Sequence, residues 1–439
     1  MPPKVTPRKV DRWEGIYSGL VGLFFALTVI KWGNPVIMDA RISAPSGYME
    51  TVLAPWPMSW AYRFALVVLL GAFFFARNVC GIPKWWLFLP VFWFCWQIIS
   101  AFFAVDSTFC WIVIPHFGVA ASMFFVGVYS FSRITRLGPF WMAWIGGFVV
   151  LLLLGLRQHF GGLEETRRFL YSLPNWQELP PEFLQRISSN RIYSTLVYPN
   201  AFAGALLLLT PIVLAFLAGA LGGRSVVFRW IVLSLTVGLS SGCLYWSGSK
   251  AGWLIAMIQI GALLLRSRTS GRLKVCALAA LLTLSLAGFG LRYRDYFERG
   301  ATSVAARMDY WRSALITIKE FPIFGSGPGS FMVRYKTLKN QESEMTRLAH
   351  NDYLQQASDS GVAGGLAFLV FWTVGVFMLY RNSCGDWLAY SVFVGVLGVA
   401  LQGFVEFGCY IPGISWPSWF LLGWFVARGN PVDKSGLRS

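Results

Sequence analysis

Twelve apolar runs punctuate this chain, at 16–32, 59–76, 85–104, 110–131, 138–156, 196–218, 225–246, 250–265, 273–291, 361–380, 387–405 and 414–427. Each approaches the roughly 20 residues that a helix needs to cross about 30 Å of hydrocarbon. Helices are the solution open to such runs, because inside a bilayer every backbone N–H and C=O must find its partner within the protein. Composition removes the alternative of a soluble fold: 56% of residues are hydrophobic and 13% are charged, against about 25% charged in an ordinary soluble domain. The expectation is an all-α polytopic membrane protein with about twelve transmembrane helices.

Basic residues orient the bundle. With the N-terminus inside, the inward segments carry eighteen Lys or Arg, among them Arg77, Lys84, Arg133, Arg266, Arg268 and Arg381, while the short outward ones carry Lys31, Arg41, Arg63 and Lys250. That asymmetry predicts both termini in the cytoplasm. It also accounts for the formal charge of +17 through topology and anionic headgroups, so membrane lipids are the expected partners of this charge and nucleic acid is not implied. The stretch from Met1 to Trp13 is polar and basic, with no small-residue cleavage site after the first apolar run. It reads as a retained first span.

Two connections break the pattern of short loops, and both fall outside. Residues 157–195 form one; residues 292–360 form the other and are long enough for a helical periplasmic subdomain between spans nine and ten. The expected organisation is therefore 1–291 (nine spans and the 157–195 loop), 292–360 (the large loop) and 361–439 (three spans and a cytoplasmic tail). Long ordered connections on a rigid scaffold carry function. In the second, ARMDYWRSALITIKEF has apolar positions at helical spacing, followed by the breaker run PIFGSGPGS and a polar stretch ending at His350.

Other motifs exclude more than they suggest. The seven cysteines form no CxxC pair and no His/Cys cluster at metal-ligand spacing. Cys110 and Cys409 lie near the outer surface, where a bridge between them is conceivable. GSGPGS lacks the Lys-Ser/Thr and the preceding strand of a phosphate loop, and reads as a turn. Of the three histidines, His116 reads as a helix-packing residue and His159 as a boundary residue. His350, followed by Asn351, stands at the outer membrane–water boundary just before the tenth span.

His350-Asn351, nine residues, Gly361, two residues and Gly364 resembles the His-Asn-x9-Gly-x-x-Gly signature of the O-antigen ligases, within the larger family that includes the O-antigen polymerases. The run from Arg307 to Leu315 with FPIFGSGPGSF resembles the family's outer-loop helix and glycine turn. YPNAFAG at 198–204 resembles the entrance to its sixth span, and SGSKAG at 247–252 its Ser-Arg-Gly position. The resemblance implies a bacterial inner-membrane glycosyltransferase that takes a glycan from undecaprenyl pyrophosphate and joins it, on the periplasmic side, to a hydroxyl of a lipid or glycan acceptor. It implies inversion at the anomeric carbon, and no metal or other cofactor.

The residues suit that chemistry. A base working near neutral pH fits a histidine, whose unperturbed pKa is about 6.5, so His350 is the expected base, with Asn351 orienting it or the acceptor. A departing pyrophosphate calls for cations, which arginine supplies through bidentate contacts. Arg191 and Arg307 match arginines of the family, with an interfacial anchor and a salt bridge to Glu298 or Asp309 as their structural alternatives. Arg312 is a further candidate, although it lies about 140° from Arg307 around the helix. Lys250 stands where the family has arginine, and offers a compact charge without the planar fork. Glu406 either positions the acceptor or pairs with an arginine; Gly361 and Gly364 are structural. Within the family, a ligase reading competes with a polymerase and with an oligosaccharyltransferase acting on protein. From another class, a lipid-linked-glycan flippase or transporter would show paired broken helices and midplane charges, and neither is evident.

Overall fold

The computed structural model describes residues 9–172, 176, 184, 188–292, 294, 302–341 and 343–429. Glu298, the middle of the 157–195 connection and the tail residues Lys4, Arg8, Lys434 and Arg438 lie outside the described residues. Among the described residues the chain is helical, without strands. Each of the twelve apolar runs coincides with a helix, and among the described residues nine helices are long and apolar enough to cross a membrane. The other three, Lys250–Arg266, Trp387–Gln402 and Pro412–Arg428, have 17, 16 and 17 residues.

Pro412–Arg428 shows why its apolarity is not simply that of a lipid-facing span. It is buried along almost its whole length and packs against Cys110–Phe125, Lys9–Lys31 and Asp352–Asn382. Its Trp416 stacks on Phe24 at 5.6 Å, and Trp419 on Phe371 at 4.5 Å. Small residues permit the closest crossing: a Cβ added at Gly423 would lie 2.2 Å from the Phe124 carbonyl oxygen, and one at Gly127 2.3 Å from that of Phe420. At the periphery, Val226–Ser247 and Gly271–Arg292 leave side chains such as Val227 and Leu284 exposed, the pattern of helices covered by hydrocarbon.

The two long connections are largely helical where they are described. Gly138–Arg157 runs on through Gln158–Gly162, breaks at Gly161 (φ 125°) and continues as Leu163–Tyr171. The large connection contains Thr302–Glu320, as its periodicity predicts, and Phe331–Leu338. These close a small core of Tyr310, Ala314, Phe331, Tyr335 and Ala349.

The tenth apolar run belongs to a longer helix, Asp352–Asn382, which breaks at Ser360–Gly361. The boundary drawn at Gly361 is this break. There Val362 N–H donates to the Pro322 carbonyl (2.8 Å), and the freed Ser358 and Asp359 carbonyls accept from Ser326 N–H and Gly327 N–H, each at 2.9 Å. The glycine turn thus replaces the lost helical hydrogen bonds. Gly361 has φ 70°, and a Cβ on it would sit 2.1 Å from the Ile323 carbonyl oxygen, so both conformation and space select glycine. A Cβ at Gly364 would meet Ser360 Oγ at 2.1 Å. The buried Asp359 carboxylate locks the turn by accepting from Gly329 N–H (3.0 Å), Gln355 Nε2 (2.8 Å) and the Tyr410 hydroxyl.

Cys110 and Cys409 are buried, free thiols, and the conceivable bridge between them is not formed. His116 packs between helices, its Nε2 2.7 Å from the Cys409 carbonyl oxygen, and His159 stacks on Trp246 at 3.9 Å.

Candidate functional site

The His-Asn pair begins at a helix start. Asn351 is the N-cap of Asp352–Asn382: its side-chain oxygen accepts from Leu354 N–H at 3.0 Å, the role in which asparagine is among the preferred residues. His350 precedes it in the left-handed region, at φ 49°, a conformation that costs a non-glycine residue about 1–3 kcal/mol and persists only where surroundings impose it. Those surroundings are visible. Ala349 N–H donates to Gln355 Oε1 (2.6 Å), and Asp352 N–H donates to the Gly403 carbonyl (2.6 Å). The Asp352 carboxylate accepts from Cys409 N–H, at 3.1 and 3.0 Å from its two oxygens. Residues 349–352 are thereby tied to the turn that follows Trp387–Gln402, and that turn carries Glu406.

Glu406 is the centre of the arrangement. His350 Nδ1 lies 3.2 Å from Glu406 Oε2, while Glu406 Oε1 accepts from Arg307 Nη2 and from Asn200 Nδ2, the latter at 2.6 Å. Asn200 Oδ1 in turn accepts from Arg191 Nη2 at 2.6 Å. Arg307 also donates through Nε to the Val405 carbonyl (3.1 Å), and Arg191 through Nε to the Ser247 carbonyl (2.7 Å). The His350 ring is held edge-on by Phe407 (4.7 Å) and stacked on Tyr310 (5.7 Å). With a carboxylate on Nδ1, the neutral ring carries its proton there and leaves Nε2 as its lone-pair nitrogen.

These groups open onto one cavity of about 480 Å³, which Arg191, Asn200, Arg307, Tyr310, Arg347, His350, Glu344 and Glu406 help to line. Three arginines face two glutamates across it. Burial raises the Glu406 carboxyl, but the His350 ring and the Arg307 guanidinium outweigh burial and hold its pKa below the usual carboxylate value. A charged Glu406 beside two arginines and a histidine gives a site that can take a proton on one side and hold an anion on the other.

The fold brings together four of the candidates from sequence: His350, Arg191, Arg307 and Glu406. Arg307 forms its ion pair with Glu406 and not with Asp309, and its Nη1 also donates to the Ser303 carbonyl at 3.3 Å. Asn351 caps its helix, so the partner on the His350 ring is Glu406. Arg312 is more than half exposed and sits 3.6 Å from Asp309, away from the cavity-lining set. Lys250 opens the Lys250–Arg266 helix after Ser249, whose hydroxyl accepts from Gly252 N–H at 3.2 Å, and it is also outside that set. SGSKAG therefore acts chiefly as a helix-to-helix turn. Its Gly248 (φ 61°) makes room for Arg191, which a Cβ would meet at 3.2 Å.

Asn200, Asp352, Tyr310 and Arg347 were missed. Asn200 stands inside YPNAFAG and Asp352 directly follows the His-Asn pair, so both lay within motifs already singled out. Tyr310 likewise lies inside the Arg307–Leu315 run, and Arg347 carries no local signal.

Among the described residues no group of three or more His, Cys, Asp or Glu is placed to hold a metal ion. Residues 235–369 match the family model described as O-antigen ligase. That stretch includes Arg307, His350 and both glycines of the signature, and excludes Arg191, Asn200 and Glu406. A protein of Haemophilus influenzae, described as an uncharacterized protein, is 28% identical over 182 residues, covering 36% of this chain and 45% of its own length. The chain thus spans less than half of that relative.

Proposed function

We propose, from the premise that residues 235–369 form an O-antigen ligase family domain, that this multi-pass membrane protein is a glycosyltransferase. In this reading it moves a glycan from undecaprenyl pyrophosphate to an acceptor hydroxyl at the periplasmic face of the bacterial inner membrane. The observation that carries the reading is the contact of Glu406 with both His350 and Arg307 at the wall of the cavity. It joins a proton acceptor to a cation at one carboxylate.

The step needs both. The acceptor oxygen forms the new bond to the anomeric carbon as its proton passes to His350 Nε2, and the bond from that carbon to the phosphate oxygen breaks, its electron pair leaving with the pyrophosphate. Glu406 sets the tautomer of His350 and stabilises the imidazolium that results, a positioning role. Arg191 and Arg307 meet the charge that grows on the leaving group. Asn351 caps its helix, Arg312 and Lys250 do not line the cavity, and this reading assigns them no step. Joining the glycan to a lipid A–core or similar acceptor is the favoured form. A polymerase or a protein O-oligosaccharyltransferase would use the same donor side with another acceptor.

Purified protein in nanodiscs, a lipid-linked donor and candidate acceptors provide the test. His350→Ala lowers the transfer rate by about 10²- to 10⁴-fold with donor affinity nearly intact. Arg191→Ala weakens donor binding as well, because its charged hydrogen bond forms before the transition state. Wild-type rates from His350→Ala would remove the histidine from the chemistry and the reading with it.

A further inference from the structure

The segment after Phe331–Leu338 places a third arginine at the cavity, and its surroundings differ from those of its neighbours. Four arginines are described between residues 302 and 350. Arg307 pairs with Glu406, Arg312 with Asp309 and Arg334 with Glu320. Arg347 has no carboxylate partner among the described residues. Among the described residues its side chain makes one hydrogen bond, a long one of 3.4 Å from Nη1 to the Ile37 carbonyl oxygen. A guanidinium has five N–H donors and remains charged throughout the physiological range, so toward the described residues nearly all its donor capacity is unspent at the wall of the cavity.

Arg347 is also held in place. Leu348 and Ala349 beside it are buried, Thr346 Oγ1 donates to the Leu348 carbonyl at 3.0 Å, and Ala349 N–H is fixed on Gln355. The Ile37 carbonyl belongs to the turn Val36–Arg41, which contributes Ile37 and Met38 to the same wall. A neutral carbonyl orients a cation without neutralising it. Ordering the side chain before a ligand arrives lowers what binding must spend on immobilising it.

From this geometry we propose that Arg347 is a second anion subsite, taking a phosphate or carboxylate group of a substrate apart from the Arg191–Asn200–Glu406–Arg307 chain. The inference rests on the transferase reading for its substrates. The anion has two possible sources, the donor's pyrophosphate and an acidic substituent on the acceptor glycan, and both present the planar or tetrahedral oxygens that a guanidinium fork matches.

The experiment uses the full chain in nanodiscs and compares wild type with Arg347→Gln and Arg347→Lys, each checked for monodispersity and thermal melting. One arm titrates undecaprenyl pyrophosphate. The other measures kcat and KM for transfer to a phosphorylated acceptor glycan and to the same glycan after dephosphorylation. If the donor supplies the anion, Arg347→Gln weakens undecaprenyl pyrophosphate binding by about tenfold or more. If the acceptor supplies it, Arg347→Gln cuts the preference for the phosphorylated over the dephosphorylated acceptor by a similar factor, through KM. Arg347→Lys falls between wild type and Arg347→Gln in either arm, keeping the charge without the fork. Unaltered donor affinity together with unaltered acceptor preference in a folded Arg347→Gln would overturn the proposal and leave Arg347 as a prop for the Val36–Arg41 turn. A defective transferase reading shows elsewhere, as full activity in His350→Ala.

Discussion

Glu406 shows how one carboxylate can be more informative than the histidine beside it. Burial works against its charge, yet His350 and Arg307 hold its pKa below the ordinary value of 4.5. The sign follows from linkage: a depressed folded-state pKa contributes stability that is present above the unfolded value and lost as pH falls through the folded one. Glu406→Gln is therefore expected to melt below wild type at about pH 7, with the gap narrowing on acidification to about pH 4 and below as the wild-type carboxyl becomes protonated. Thermal melts of both proteins across that range check it; a gap that stays constant with pH would mean that Glu406 is not charged in the fold. The sequence left two roles open for this residue, positioning an acceptor or pairing with an arginine. Pairing is what the fold displays, because Arg307, about a hundred residues earlier, is packed against the turn that carries it.

The signature glycines act through the helix break. Read along the chain, Gly361 marked the start of a span; in the fold it lets Asp352–Asn382 bend so that the FPIFGSGPGS turn can supply the hydrogen bonds that the bend removes. The piece of helix before the break presents Asn351 as cap and His350 on its strained backbone. Gly361→Ala combines an unfavourable φ with a clash against a backbone oxygen, and is expected to destabilise by about 2 kcal/mol or more. A thermal melt in detergent checks this, and a melting point equal to wild type would show that the turn is not clamped there. Helix, breaker and turn were legible in sequence, since periodicity and glycine spacing are local. That Asn351 spends its side chain on capping was not: asparagine beside a histidine fits a cap and a catalytic partner equally, and the choice depends on where the helix begins.

Orientation concerns the whole molecule, and it rests on the distribution of basic residues. The proposed periplasmic site requires Lys339 and Arg268 to lie on opposite sides of the membrane. In a background with Cys80, Cys95, Cys276 and Cys384 replaced by serine, a cysteine at position 339 should react with a membrane-impermeant thiol reagent applied to intact spheroplasts, and one at 268 should not. Labelling at 268 alone would invert the topology and move the cavity to the cytoplasmic side. The bundle itself is organised around Pro412–Arg428, a helix that hydropathy ranks with its neighbours and that packing sets apart: protein encloses it, whereas Val226–Ser247 and Gly271–Arg292 stand at the edge.

The linear chain was enough for the membrane environment, the helical class, the long connections and the His-Asn-to-glycine motif, because apolar length and turn chemistry are properties of neighbouring residues. It could nominate Arg191, Arg307, His350 and Glu406 individually. Their convergence needed folding: Asn200, which holds Arg191, reaches Glu406 across 206 positions, and Asp352 anchors the 403–409 turn through the Cys409 N–H. Neither contact leaves a trace in local pattern. Hydropathy likewise measures only the wish of a helix to leave water, so lipid-covered and protein-covered helices read alike until packing separates them. Lys250 and Arg312 fall away from the cavity for the same reason that Arg347 joins it: a charge is assigned to a site by the walls around it, and those walls come from distant parts of the chain.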